Sequence, residues 1–157
     1  MTEQIELIRI KLEHLSRMRG YLHYSLSQVE PVLLLTDWAA LSPDQHESLA
    51  AFRVRFSEFQ EHLGKTMRSV AIEEEQDVER FGPVLAFMER LKVIDSADHW
   101  QLIRELRNAV NHEYEDDGAR LAEFFALMAG EAPALFGYFT RLQAHCASAY
   151  GFLCQPP

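Results

Sequence analysis

Apolar residues recur along this chain at helical spacing almost throughout. Ile5, Ile8, Leu12, Leu15, Leu22, Leu26, Val29 and Leu33 follow a three-four rhythm interrupted only at Arg19, which predicts one long amphipathic helix. Pro31 is expected to kink or break it near its end. An apolar turn or two around Trp38 should follow. Ser42, Pro43 and Gln45 then form a helix-start signature, with a capping hydroxyl, proline at the first helical position and a returning carboxamide. Leu49, Phe52, Phe56, Phe59, Leu63, Met67 and Val70 mark the buried face of this second long helix. Its aromatic stripe reads as core, not as a stacking platform. The pattern fades into Glu73-Glu74-Glu75-Gln76-Asp77, which reads as a solvated helix end.

Beyond that run, Gly82-Pro83 starts a shorter helix carrying Val84, Leu85, Phe87, Met88, Leu91 and Ile94. Asp95 or Ser96 should cap the next, whose core stripe is expected to be His99, Ile103, Leu106 and Val110, flanked by Leu102 and Ala109. Asp117-Gly118 should end this segment. Two further helices are expected, Ala119 to Met128 and Pro133 to about Leu153, separated by a break at Gly130. No stretch alternates polar and apolar residues as a half-buried strand would. The expected fold is all-α: one domain over residues 1–157, an antiparallel bundle of two long helices with shorter ones packed on them.

Composition changes this picture little, but charge constrains it. The chain has 157 residues, 48% hydrophobic, with 15 Lys and Arg against 24 Asp and Glu, a net charge of −9. Such a balance makes a poor general polyanion binder, so any nucleic-acid role needs a local basic site or an interface that gathers the few arginines. No apolar run approaches the roughly 18 residues of a membrane span. The start, Met1-Thr2-Glu3-Gln4, has no basic or apolar leader character. If their stretch is helical, Cys146 and Cys154 lie about 12 Å apart along the axis, too far for a disulfide. A reducing, cytoplasmic setting is expected.

No glycine-rich phosphate loop, HExxH or nucleophile elbow occurs. None of the seven histidines has a glutamate three residues before it, as a carboxylate-bridged di-metal bundle would require. No metal and no cofactor are expected, and His14 and His23 read as boundary residues.

One segment carries chemistry, Arg104-Glu105-Leu106-Arg107-Asn108-Ala109-Val110-Asn111-His112-Glu113-Tyr114. On an ideal wheel Glu113 falls on the core stripe, so the helix should end or meet an interface near His112. Arg107, Asn111 and Tyr114 share one stripe; Asn108 and His112 share another. An arginine grips phosphate with a planar fork, and a histidine titrates near neutral pH. Together, and without a metal, they suffice for attack of an RNA 2′-hydroxyl on its neighbouring phosphate. DNA lacks that hydroxyl and is not a substrate for such a site.

The pattern Arg107-Asn108-x3-His112-x-Tyr114 resembles the Arg-x4-His-x-Tyr signature of the HepT family, ribonuclease toxins with a HEPN domain. The order of segments over about residues 70–143 is also similar. The resemblance implies a HEPN-type bundle and a homodimer whose two motifs meet in one cleft. Arg107 and His112 would be the catalytic pair, Asn108 a supporting polar residue, and Arg104 and Asn111 further candidates. Tyr114 would accept AMP from a partner nucleotidyltransferase antitoxin. The alternative is an inactive subunit that binds such a partner without cleaving RNA; a third is a plain helical scaffold.

Overall fold

The computed structural model describes residues 2–112 and 118–152; the side chains of Asn111 and His112 lie outside what is described. Five α-helices and one short 3-10 turn, with no strand among the described residues, make an all-α bundle. The helices are α1 (Glu3–Leu33), α2 (Pro43–Glu73), α3 (Phe81–Arg90), α4 (Ala97–His112) and α5 (Gly118–Tyr150), with the 3-10 turn at Trp38–Ala40.

Local chemistry fixes the helix starts. The Thr2 hydroxyl accepts from the Ile5 amide at 3.1 Å and opens α1. At α2 the expected capping box is complete: Ser42 Oγ accepts from the Gln45 amide at 3.2 Å, and Gln45 Oε1 accepts from the Ser42 amide at 2.8 Å. These bonds satisfy donors that would otherwise have no intrahelical partner. The ends of α2 and α3 are equally defined. Glu75 and Lys92 stand at φ 58° and 60°, and the following amides of Gln76 and Val93 reach back to the carbonyls of Ala71 and Met88 at 2.9 and 3.0 Å. That is the six-to-one closure of a Schellman turn, made here without glycine.

The two long helices run antiparallel: Gln4 and Lys11, near the start of α1, bond to Ser69, near the end of α2. Helix α5 lies along them, with Phe125 against Phe52, Phe139 against Phe59, and His145 Nε2 on Glu74 at 2.9 Å. One buried cluster draws on every helix, and Phe52, Phe56 and Phe59 are wholly inside it. The phenylalanine stripe is therefore core, as its spacing predicts.

Three sequence expectations are corrected. The last two expected helices are one: α5 runs unbroken through Gly130 and Pro133. Both residues are exposed, while Met128, Ala132, Leu135 and Tyr138 on either side are buried. Tertiary packing of that inner face holds the helix across one missing hydrogen bond. Likewise Pro31 does not end α1, which reaches Leu33. In α4, His99 is not part of the apolar stripe. Trp100, 3% exposed, takes the buried position, while Leu102 is 56% exposed.

Among the described residues no helix is long and apolar enough to cross a membrane.

Candidate functional site

Helices α2 and α4 each turn a polar stripe towards the other, next to their core stripes. On α2 it comprises Gln60, Glu61, Gly64, Lys65 and Arg68; on α4, Arg104 and Arg107, next to the core residue Trp100. Their spacings are those of neighbours on one helix face. With Phe81 at the start of α3, these residues enclose a cavity of about 320 Å³. That lies within the ~300–1,000 Å³ typical of small-molecule sites.

A glycine makes the meeting possible. A Cβ on Gly64 would stand 3.3 Å from both Phe81 Cζ and Trp100 Cζ2. The bare backbone lets the two rings, 6.3 Å apart between centroids, rest close to α2. A glycine in a helix interior costs about 1 kcal/mol against alanine, so its place here is explained by this approach.

The cavity is polarised from rim to floor. Lys65, Arg68 and Arg104 are exposed and Arg107 is half-buried, whereas Gln60, Gly64 and Trp100 are buried. Four cationic side chains therefore gather around one opening, with Glu61 the one carboxylate lining it among the described residues. In a chain of net charge −9, this is the local basic site that a role with anions requires. The sequence called for a local basic site or an interface that gathers the few arginines. Here α2 supplies the second pair of cations within one chain.

These charges are poorly compensated. Lys65 pairs with Glu61 at 3.2 Å, and both side chains are 58% exposed, a kind of pair that contributes little. Arg68 lies over the Phe81 ring at 5.4 Å. Among the described residues, Arg68, Arg104 and Arg107 have no carboxylate within ion-pair distance, and Arg107 Nη2 reaches only Asn108 Oδ1, at 3.5 Å. Burial, and then the like charge of Arg104, draw the Arg107 pKa below its ordinary value, partly opposed by Glu61. Arginine stays charged despite this, so the guanidinium is a cation that an incoming anion would stabilise.

Gln60 adds a second unmet demand. It is 1% exposed, and neither Nε2 nor Oε1 of its carboxamide has a hydrogen-bond partner among the described residues. A buried amide left so costs about 1–3 kcal/mol.

Of the residues singled out by sequence, Arg104 and Arg107 come together at this cavity, and Asn108 stands exposed beside Arg107. The backbone of α4 carries Asn111 and His112 at its end, their side chains lying outside what is described. Tyr114 and the acidic run 115–117 also fall outside the described residues. Gln60, Lys65 and Arg68 were missed. Their signal was present, as a cationic stripe around a mid-helix glycine, but its partner stripe lies on another helix.

At the other end of α4 is a cluster that sequence reasoning also missed. His99 donates from Nδ1 to Asp95 Oδ2 at 2.6 Å and from Nε2 to Glu131 Oε2 at 2.7 Å. Tyr138 donates its hydroxyl hydrogen to Asp95 Oδ1. The Ser96 hydroxyl accepts from the His99 amide at 3.0 Å and caps the helix. Burial opposes the charge on His99, but its bonds to Asp95 and Glu131 outweigh that and raise its pKa above the ordinary 6.5. Both ring nitrogens face carboxylates, so this histidine is an imidazolium clamp between α4 and α5 with no free nitrogen for proton transfer.

Comparison with protein-family models, with curated proteins and with solved structures finds no match for this chain.

Proposed function

We propose that this chain is a metal-independent endoribonuclease of the HEPN type, acting as the toxin of a toxin–antitoxin pair. The observation that carries this reading is the gathering of Lys65 and Arg68 of α2 with Arg104 and Arg107 of α4 around one cavity, α4 being the helix that carries the Arg-x4-His motif. An otherwise acidic molecule has no evident structural use for that concentration of poorly compensated positive charge.

In the proposed reaction the His112 imidazole takes the proton of an RNA 2′-hydroxyl. The 2′-oxygen attacks the adjacent phosphorus, the bond to the 5′-oxygen breaks, and that oxygen takes a proton from solvent. A 2′,3′-cyclic phosphate and a free 5′-hydroxyl remain. Arg107 holds the phosphoryl oxygens as charge builds on them, with Asn108 as the supporting polar group and Arg104 and Asn111 beside it. A homodimer would place two such motifs on one strand. AMP added to Tyr114 by a partner nucleotidyltransferase would add bulk and negative charge within the motif and so oppose phosphate entry.

The net charge of −9 favours a second reading, an inactive subunit that binds the nucleotidyltransferase. One experiment separates the two. Purified chain is incubated with single-stranded RNA in the presence of a chelator, beside Arg107→Ala and His112→Ala. Cleavage by wild type alone supports the ribonuclease. Cleavage by neither wild type nor variants, with a stable nucleotidyltransferase complex, supports the second reading. Equal cleavage by all three proteins removes the first.

A further inference from the structure

We propose that the cleft between α1 and α2 is a second anion site, apart from the arginine cavity, built for one tetrahedral dianion: sulfate or phosphate, free or as the head group of a monoester. None of its lining residues comes from α4. It therefore goes beyond the ribonuclease reading and does not depend on it.

Lys11 and His14 of α1 line this cleft with His62, Lys65 and Thr66 of α2, around a space of about 170 Å³. Lys11 and His14 are three residues apart, as are His62 and Lys65, so each helix turns two basic side chains to one opening. No carboxylate lines it among the described residues. The chain holds 24 Asp and Glu against 15 Lys and Arg, so an opening edged by basic groups alone runs against its composition.

The half-buried Lys11 is held in place by neutral groups. Its Nζ donates to Ser69 Oγ at 2.7 Å, and Ser69 Oγ donates onward to the Lys65 carbonyl at 3.2 Å. This chain of bonds fixes the ammonium without cancelling its charge, and two of its three hydrogens remain for a ligand. Burial, and then the like charge of Lys65, draw the Lys11 pKa below its ordinary value. An anion between the two ammonium groups relieves both. Among the described residues neither the His14 nor the His62 ring has a hydrogen-bond partner. The one competitor is Glu61, which pairs with Lys65 at 3.2 Å. That pair is exposed and contributes little.

These features select the ligand. Donors come from both walls, and a tetrahedral ion meets them with four oxygens where a carboxylate has two. The Thr66 hydroxyl hydrogen is engaged by the His62 carbonyl at 2.8 Å, and no carboxylate is present to accept a proton from the ligand, so the fully ionised form is favoured. The space is smaller than the ~300–1,000 Å³ of whole small-molecule sites, which suits an ion or a head group.

The test is an NMR titration of the full chain with sodium sulfate at constant ionic strength. It follows the Cε1–H signals of His14 and His62, each assigned by its glutamine variant. Both signals should move on one saturating curve. Lys11→Met should weaken binding about fivefold or more, and Arg104→Ala should leave it unchanged. His62→Gln, read on the His14 signal, should weaken it about twofold or more, and keeps the test open should Lys11→Met fail to fold. Drift without saturation, the same curve with chloride, saturation by hexaglutamate at no higher concentration than sulfate, or wild-type affinity in both variants overturns the proposal. Inorganic phosphate and glycerol 3-phosphate then distinguish the sources. Tighter binding of the ester assigns the site to a monoester head group, and equal or weaker binding assigns it to the free ion. Sulfate binding by a chain that does not cleave RNA sinks the ribonuclease reading alone, and cleavage without sulfate binding at these histidines sinks this one alone.

Discussion

The two parts of α4 solve the burial of polar groups in opposite ways. At its start, Asp95, His99, Glu131 and Tyr138 answer each other, and both nitrogens of the one cationic ring have a carboxylate within 2.7 Å. Further along, Arg104 and Arg107 stand at a cavity also lined by Gln60, whose buried carboxamide has no partner among the described residues. A histidine among carboxylates looks like chemistry, and yet it is the satisfied cluster. The arginines look like ordinary helix surface, and yet theirs is the unsatisfied one. Completed hydrogen bonding stabilises a fold, whereas incomplete hydrogen bonding beside a cavity leaves free energy for a ligand.

The largest difference should appear on substituting Arg107. RNA cleavage by Arg107→Ala should fall about 10²–10³-fold, as for loss of one charge-stabilising donor. The melting temperature should hold or rise slightly, because a half-buried cation without an ion pair is removed. A fall in stability as large as the fall in activity would mean that Arg107 is structural.

Substituting His99 should give the reverse. His99→Ala leaves Glu131, with 28% of its side chain exposed, without its partner. It should cost about 1–3 kcal/mol in denaturant unfolding and leave cleavage by the remaining folded protein unchanged. Unaltered stability would reduce the cluster to surface ornament.

The same cluster predicts a pH profile. The raised His99 pKa means that its contribution is fully present below about pH 6.5 and is lost as pH rises through the higher folded-state value. Asp95 has the opposite sign. Burial opposes its ionisation, but bonds from Tyr138, His99 and the Ser96 amide lower its pKa below 3.8, so its contribution is lost as pH falls through that lowered value. Melting temperatures should therefore decline on both flanks, and His99→Gln should flatten the alkaline one. An unchanged alkaline flank in that variant would assign the decline to other groups.

Smaller still is the effect expected of Gln60→Met. Replacing an unpaired buried amide by an apolar chain of similar length should leave stability unchanged or raise it by up to about 1 kcal/mol. A loss of 1 kcal/mol or more would mean that the carboxamide is satisfied in solution. The least effect belongs to Glu61→Gln. Removing this carboxylate of the cavity lining should tighten inorganic phosphate binding about two- to threefold at low salt, with the gain fading as salt is added. Weaker binding would show that Glu61 orders Lys65 for the anion.

Much of the fold was legible because it is local. The capping box at Ser42, the buried stripe from Leu49 to Val70 and the all-helical class follow from spacing and side-chain type alone. Pro31 and Pro133 misled because a proline's local cost is visible in sequence, while the packing that overrides it is not. His99 misled for a similar reason. Its spacing fits the core stripe of α4, but its partners Glu131 and Tyr138 arrive from α5.

At the candidate site, the sequence by itself determined that Arg104 and Arg107 share a helix face, and that an arginine, an asparagine and a histidine stand at motif spacing. Only the tertiary structure decided that Lys65 and Arg68 join those arginines, and that Gln60 and Trp100 form a floor beneath them. The physical reason is range. Helical periodicity and capping act within a few residues, whereas a cavity forms from the mismatch between surfaces of helices far apart in the chain, and it charges up according to which stripes happen to face.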